Sequence, residues 1–305
     1  MRAPIAVFAY KRAAMLGSTL AQLAANEQAS TSDLFIYCDG GKKPEDADKI
    51  DATRAVARAC AGFKSVSVIE RDSNLGLARS IRTGVTELCN RFGRVIVVED
   101  DFDLSPDFLG FMNAALERYK DEPSVMQVSG HMWDVPLGVT DDALFLSFTT
   151  SWGWATWQRA WEHYTEDLTD FDQADADWLK RFDLDGNFAY KRMLDRARKA
   201  EVDSWAIYWY YSVFESSGLT VYPRQSMVAH RGFEDEDRTH GHGRIPWATK
   251  TGHFPAIPRW PEVVRAHEAQ STLFKALRQP GGSPGFPARL QALTTRVKTA
   301  LGLKS

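Results

Sequence analysis

This chain has little of what would give its role away at once. Its three cysteines, Cys38, Cys60 and Cys89, are scattered, odd in number and form no metal-ligand pair, so a disulfide framework or a zinc site is not expected. No apolar run approaches the ~20 residues of a membrane-spanning helix. Met1-Arg2-Ala3-Pro4 leads straight into a strand pattern with no signal-peptide core, so the expectation is a soluble, cytoplasmic protein. Neither sign of charge dominates. The 37 Lys and Arg against 40 Asp and Glu leave a net charge of −3, which gives no reason to expect non-specific nucleic-acid binding. A G-x-G-x-x-G turn after the first strand is missing, which argues against a dinucleotide cofactor, and the absence of a G-x-x-x-x-G-K-[ST] loop argues against an ATPase. There is no internal repeat.

What is present begins with Val95-Ile96-Val97-Val98-Glu99-Asp100-Asp101. Four β-branched residues in a row read as a strand buried on both faces, as in a parallel sheet. Three carboxylates at its tip repel one another and are costly to desolvate unless something positive sits there. A divalent cation gripping a diphosphate is the simplest remedy, and a solvated acidic turn is the bland alternative. Strand alternation sends Glu99 and Asp101 to one side and Asp100 to the other.

At 305 residues and 44% hydrophobic, the chain can bury a sizeable core. The first ~115 residues alternate strand and helix patterns, the signature of a mostly parallel α/β sheet. Strands are expected at 5–9, 34–38 and 65–70, and helices at 13–25, 44–60 and 77–91. Ser105-Pro106-Asp107 then opens a further helix, with Ser105 as N-cap, Pro106 in the first turn and Asp107 as a dipole-matched structural residue.

Beyond Glu122-Pro123 the character changes. All ten tryptophans fall at or after Trp133. Core packing is the favoured reading for most of them, with stacking on sugars or bases as the alternative. Gly153, flanked by bulky rings, reads as backbone that must approach something closely. Residues 230–250 read as a loop that orders over an anionic ligand or as a surface insertion. Residues 279–285 are a linker by composition, and 288–303 form an amphipathic helix pattern with Arg289, Arg296, Lys298 and Lys304 unbalanced by acids. That helix either rests on an anionic membrane surface or packs back onto the domain.

In a parallel sheet, ligands bind outside the carboxyl ends of the strands. Ala9-Tyr10-Lys11-Arg12, Asp39-Gly40-Gly41 and Glu99-Asp100-Asp101 share that edge and offer a cation for phosphate, a carboxylate for a ribose or base edge, and a metal site. A sugar-nucleotide pyrophosphorylase would share this layout but needs a glycine-rich, lysine-bearing loop that Tyr10-Lys11-Arg12-Ala13 does not supply. A non-catalytic carbohydrate-binding protein is supported only by the tryptophans.

Together with Ser105-Pro106-Asp107-Phe108-Leu109, the acid-tipped run resembles the metal-binding segment of inverting GT-A glycosyltransferases. The likeness is to the N-acetylglucosaminyltransferase I type, with more distant kinship to glycosyltransferase family 2, and covers about residues 4–235. It implies a GT-A fold, α/β and Rossmann-like, with a mostly parallel central sheet flanked by helices. Residues 1–125 would form the nucleotide-sugar half and 126–278 the acceptor-binding and catalytic half, followed by a linker and C-terminal helix over 279–305.

The resemblance also implies roles. Asp101 would ligate Mn²⁺ or Mg²⁺ with His230, while Asp103 offers a rival register. Ala9, Tyr10, Arg12, Asp39, Asn74, Arg79, Glu99, Asp100, Gly153 and Trp154 would contact the nucleotide sugar, with Arg12 on the nucleotide and Asp39 on the uracil edge. Asp203, in Asp203-Ser204-Trp205, would be the general base, with Glu201 its rival and a helix cap or surface acid the alternative. Apart from the resemblance, loop cations such as Arg231, Arg238 or Arg244 would add positive charge at the diphosphate when the loop closes. The implied reaction moves a sugar from a nucleoside diphosphate sugar, expected to be UDP-linked, to a hydroxyl of a glycan or lipid-linked oligosaccharide in bacterial surface polysaccharide synthesis.

Overall fold

A computed structural model describes residues 2–231 and 250–278. The first half runs β1 (Ile5–Ala9), α1 (Ala13–Ala24), β2 (Asp33–Cys38), α2 (Ala47–Arg58), β3 (Ser65–Glu70), α3 (Leu77–Phe92), β4 (Arg94–Glu99), β5 (Phe102–Leu104) and α4 (Phe108–Arg118). The second continues with β6 (Val125–Ser129), β7 (Ala143–Leu146) and β8 (Trp154–Trp157). Short helices α5 (Gln158–Trp161), α6 (Thr169–Asp172), α7 (Ala176–Phe182) and α8 (Tyr190–Arg198) follow. α9 (Trp205–Glu215), β9 (Leu219–Pro223), β10 (Val228–His230) and α10 (Gln270–Leu277) complete the described elements.

Eight strands form one sheet in the order β3-β2-β1-β4-β8-β6-β9-β7. The β3-β2-β1-β4 half is parallel throughout. β8 runs antiparallel to both β4 and β6, β6 and β9 are parallel, and β7 closes the edge antiparallel to β9. β5 and β10 pair separately, with Phe102 opposite His230.

The apolar strands earn their burial by alternation. Ile5, Val7, Ile96 and Val98 pack on one face with Leu16, Leu20 and Leu23 of α1. Ala6, Phe8, Val95 and Val97 pack on the other with Ile81, Val85 and Leu88 of α3 and Trp209 of α9. The i, i+4, i+7 spacing puts each helix triplet on a single stripe. Burying each of these Val, Ile and Leu side chains is worth about 1.5–3 kcal/mol. Region 160–200, where no motif stands out, folds as α5–α8 around a separate aromatic cluster that includes Phe171, Phe182, Tyr210 and Tyr211. No described helix is long and apolar enough to cross a membrane. The patterns expected over 279–303 lie outside the described residues.

One boundary differs from expectation. α4 begins at Phe108 with Asp107 as N-cap, not at Ser105. The Ser105 hydroxyl donates to the Gly252 carbonyl (2.7 Å), and Asp107 Oδ2 accepts from the Phe254 amide (3.1 Å). Both side chains therefore tie down the 252–254 segment, while Asn26 Oδ1 accepts the Leu109 N–H (2.9 Å) and satisfies the helix start from outside.

Candidate active site

A cleft opens outside the carboxyl ends of β1, β2 and β4, lined among others by Tyr10, Lys11, Asp39, Asn74, Glu99 and Asp100. A larger cleft of about 570 Å³ lies beside the edge strand β7, against Trp260 and Glu262, and holds none of the residues singled out by sequence. The acid-bearing cleft is the candidate site.

The acidic triplet does not alternate. β4 ends at Glu99, which keeps to the Phe8 side and lines the cleft. The chain then turns, and Asp100 and Asp101 converge on one guanidinium. Arg12 Nη1 donates to Asp101 Oδ2 (2.8 Å) and its other terminal nitrogen bonds Asp100 Oδ1. Strand geometry stops at Glu99, so the alternation expected across the triplet ends there. The turn is pinned from α1, where Thr19 Oγ1 donates to the Asp100 carbonyl (3.0 Å).

Burial dominates the electrostatics here. It pushes the Glu99 carboxyl up to about 8, with Asp101 and then Asp100 adding repulsion against the relief from Arg12. Asp100 is raised to about 6, chiefly by burial and against the pull of Arg12. Burial opposes the charge on Arg12, but Asp100 and Asp101 outweigh it and raise its pKa.

His230 arrives on β10. Its Nε2 lies 3.5 Å from Asp101 Oδ2, and its ring packs edge-on against Phe102. Burial lowers its pKa against the pull of Asp101, so the imidazole is neutral near pH 7 and fit to ligate. Asp103 is occupied elsewhere. It accepts from Gln22 Nε2 (2.8 Å) and sits 3.0 Å from Arg231 Nε. Arg231 also bonds Ser18 Oγ (2.7 Å) and the Phe102 carbonyl (2.9 Å), so its guanidinium fastens β5 to α1 rather than reaching into the cleft. Arg238 and Arg244 lie outside the described residues.

The donor set suits a divalent cation. Asp101 Oδ1 and Asp100 Oδ2 are buried acceptors with no hydrogen-bond partner, which is costly unless a cation completes them. Among the described residues no three His, Cys, Asp or Glu side chains gather around one point, so such a cation would draw its remaining ligands from the diphosphate and water.

The remaining expected residues divide. Asp39 directly follows the last residue of β2 and is spent largely on the backbone of the following loop. It accepts from Gly40 N (3.0 Å), Leu75 N (2.9 Å), Gly76 N (3.0 Å) and Asn74 Nδ2 (3.0 Å). It therefore shapes the cleft floor, with its acceptor capacity largely used. Ala9 carries the Asp39 amide on its carbonyl (3.0 Å). The Tyr10 hydroxyl donates to Asp46 Oδ2 (2.7 Å) and accepts from Lys42 N (3.1 Å) at the cleft mouth. Arg79 is exposed, and its neighbours Leu77 and Ser80 line the cleft in its place.

Trp154 is a core residue, 1% exposed and stacked on Trp205 at 4.9 Å, because β8 lies between β4 and β6 under α9. Gly153 is a close-approach glycine. Its φ is +54°, and a Cβ there would meet Val228 at 2.7 Å and Phe108 at 3.1 Å. What it approaches is the protein's own core.

Asp203 is exposed and reaches the cleft's rim. A Cβ on Gly76 would lie 2.9 Å from Asp203 Oδ2, and Gly76 lines the cleft. The N-cap of α9 is Ser204, so Asp203 is not the helix cap. Glu201 pairs with Arg196 (3.0 Å) on the surface.

Phe8 and Tyr37, stacked at 5.0 Å along one wall, carry no motif in the sequence, although each is the penultimate residue of its strand. His131 carries no motif either, yet it is 1% exposed beneath Trp152, with burial lowering its pKa to about 3 and Nε2 unpartnered. Its place two residues past the end of β6, on the edge that holds the acids, is the available signal.

The GNT-I family profile matches residues 2–188, more than half of the chain. The protein belongs to the GNT-I family. Its mostly parallel eight-stranded sheet with flanking helices is the α/β layout expected from the sequence. No curated protein sequence matches this GNT-I family member. Solved structures resemble it in chain trace only. Mannosyltransferase PcManGT from Pyrobaculum calidifontis, in complex with GDP-Man and Mn²⁺, is 14% identical with a TM-score of 0.37, over 51% of this chain and 45% of that one. TarS 1–349 from S. aureus is 12% identical with a TM-score of 0.42, over 77% and 61%. Glucosyl-3-phosphoglycerate synthase from Mycobacterium tuberculosis, in complex with Mn²⁺, UDP and glucosyl-3-phosphoglycerate, is 12% identical with a TM-score of 0.32, over 53% and 58%. The matched region spans less than two thirds of each of these chains.

Proposed function

We propose that this GNT-I family protein is a metal-dependent inverting glycosyltransferase that moves a sugar from a UDP-sugar to a hydroxyl of a glycan or lipid-linked oligosaccharide, in bacterial surface polysaccharide synthesis on the cytoplasmic face of the membrane. The observation that carries this reading is the buried pair Asp100 and Asp101, each with an unpartnered carboxylate oxygen, with His230 Nε2 3.5 Å from Asp101. Asp101 and His230 would hold Mn²⁺ or Mg²⁺, which supplies charge neutralisation for the departing diphosphate. Glu99, on the β1–α3 side, offers a carboxyl to the ribose or sugar, and the Phe8–Tyr37 wall shelters the nucleoside. Asp203 takes the acceptor proton as the hydroxyl oxygen bonds the anomeric carbon, and the carbon–diphosphate bond breaks on the opposite face. General-base help of this kind is worth roughly 10²–10⁴-fold.

The test is thermal stabilisation by a panel of nucleotide sugars with and without Mn²⁺. Stabilisation by UDP-sugars that requires Mn²⁺, with slow UDP release in the absence of acceptor, supports the reading. Sugar binding with no nucleotide effect under either condition sinks it in favour of a binding protein.

A further inference from the structure

We propose that Arg12 is a resident counter-ion that keeps a lone divalent cation off the acidic turn, so that cation and diphosphate bind as a pair. This rests on the cleft reading above and adds an order to it. The Arg12 guanidinium bridges Asp100 and Asp101 with its side chain only 14% exposed, against 3% and 7% for the two acids. Neither partner can easily swing away. The turn is pinned by Thr19 Oγ1 on the Asp100 carbonyl (3.0 Å) and by the Arg231 amide on the Asp101 carbonyl (2.9 Å). Arg12 itself opens α1, its carbonyl accepting the Leu16 amide (3.0 Å), while its side chain makes no capping bond and is committed to the acids.

Charge counting then sets the order. Two carboxylates and one guanidinium leave a single negative charge around the two unpartnered oxygens. A divalent ion arriving alone would overshoot to a buried positive excess beside a guanidinium that cannot lose its proton. A diphosphate brings the missing negative charge, so each ligand favours the other. By linkage the gain in cation affinity from diphosphate must equal the gain in diphosphate affinity from cation. Removing the guanidinium leaves two carboxylates that match a divalent ion by themselves.

Calorimetric titration of the full-length chain with Mn²⁺, alone and with saturating UDP, tests this in wild type, Arg12→Met and Arg12→Lys. The wild type is expected to bind Mn²⁺ at least 10-fold more tightly with UDP than without. Arg12→Met should tighten binding of Mn²⁺ alone by 10-fold or more and shrink the UDP-dependent gain correspondingly, and Mn²⁺ alone should raise its melting temperature more than that of wild type. Arg12→Lys keeps the charge but cannot fork across both acids, and should fall between. It carries the test should the methionine variant not fold. Variants that bind Mn²⁺ alone no more tightly than wild type, with the UDP-dependent gain intact, overturn the proposal and leave the cleft reading standing. Wild-type protein that never binds Mn²⁺ in the presence of UDP overturns both.

Discussion

The carboxylate of Asp203 lies against the backbone of Gly76, so near that a β-carbon there would come within 2.9 Å of its Oδ2. Gly76 has φ 79° and ψ 162°, a conformation that is essentially reserved for glycine. Its N–H also binds Asp39 (3.0 Å), so one residue joins the end of β2, the start of α3 and the acid that precedes α9. Gly76→Ala should cost on the order of 1–3 kcal/mol in stability. It should lower kcat more than it weakens UDP binding, because the acid is displaced while the cleft floor persists. Unaltered kcat in a folded variant would show that the placement of Asp203 is immaterial.

Asp203→Asn keeps shape and removes the base. Transfer should fall by roughly 10²–10⁴-fold with UDP affinity retained. Glu201→Gln, whose side chain pairs with Arg196 on the surface, should retain transfer within a few-fold. Rates measured on the two variants side by side decide between the acids, and near-normal turnover in Asp203→Asn removes the assignment.

Asp101→Ala should abolish Mn²⁺-dependent UDP binding in calorimetry. Asp103→Ala should leave it intact and cost at most about 1 kcal/mol, since Asp103 serves Gln22 and the partly exposed Arg231 pair. The reverse pattern would move the metal register to Asp103.

The raised pKa of Glu99 has a signed consequence. A carboxyl near 8 in the folded chain and near its ordinary value when unfolded means that the folded state holds the extra proton between about 4.5 and 8. Stability therefore falls as pH rises through that window, by up to about 1.4 kcal/mol per pH unit for one proton. Glu99→Gln cannot ionise, so its melting temperature should gain on wild type as pH goes from 6 to 9. A constant difference across that range would show that Glu99 is ionised throughout. In the wild type, Mn²⁺ with UDP should bind with proton release, read as a dependence of the heat on the buffer's ionisation enthalpy.

The parallel half of the fold was legible because its elements are short, strongly periodic and separated by turn residues. The strands at 5–9 and 65–70 fall where alternation and β-branching placed them. The acids were legible too, since charges at the tip of a fully buried strand have few explanations. What the sequence could not carry was where the strand stops. One residue decides whether Asp101 continues the strand or joins Asp100 on the Arg12 guanidinium, and the deciding contacts, Arg12 and Thr19, are some 80 residues away. Trp154 differs for a related reason: the resemblance makes it a nucleotide-sugar contact, yet strand order places it in the core under α9. Asp39 was rightly placed at the sheet edge, but the number of amides pointing at it depends on how loop 74–76 folds back.

The ladder between β4 and β8 joins the strand that carries the acids to one from the second half, so both halves share a single hydrogen-bonded sheet. A hinge between them would have to tear that ladder, from Arg94–Trp157 through Val97–Trp154. Opening and closing around substrate must therefore fall to segments that leave the sheet, and exchanging donor or acceptor preference becomes a matter of regrafting those segments onto an unyielding base.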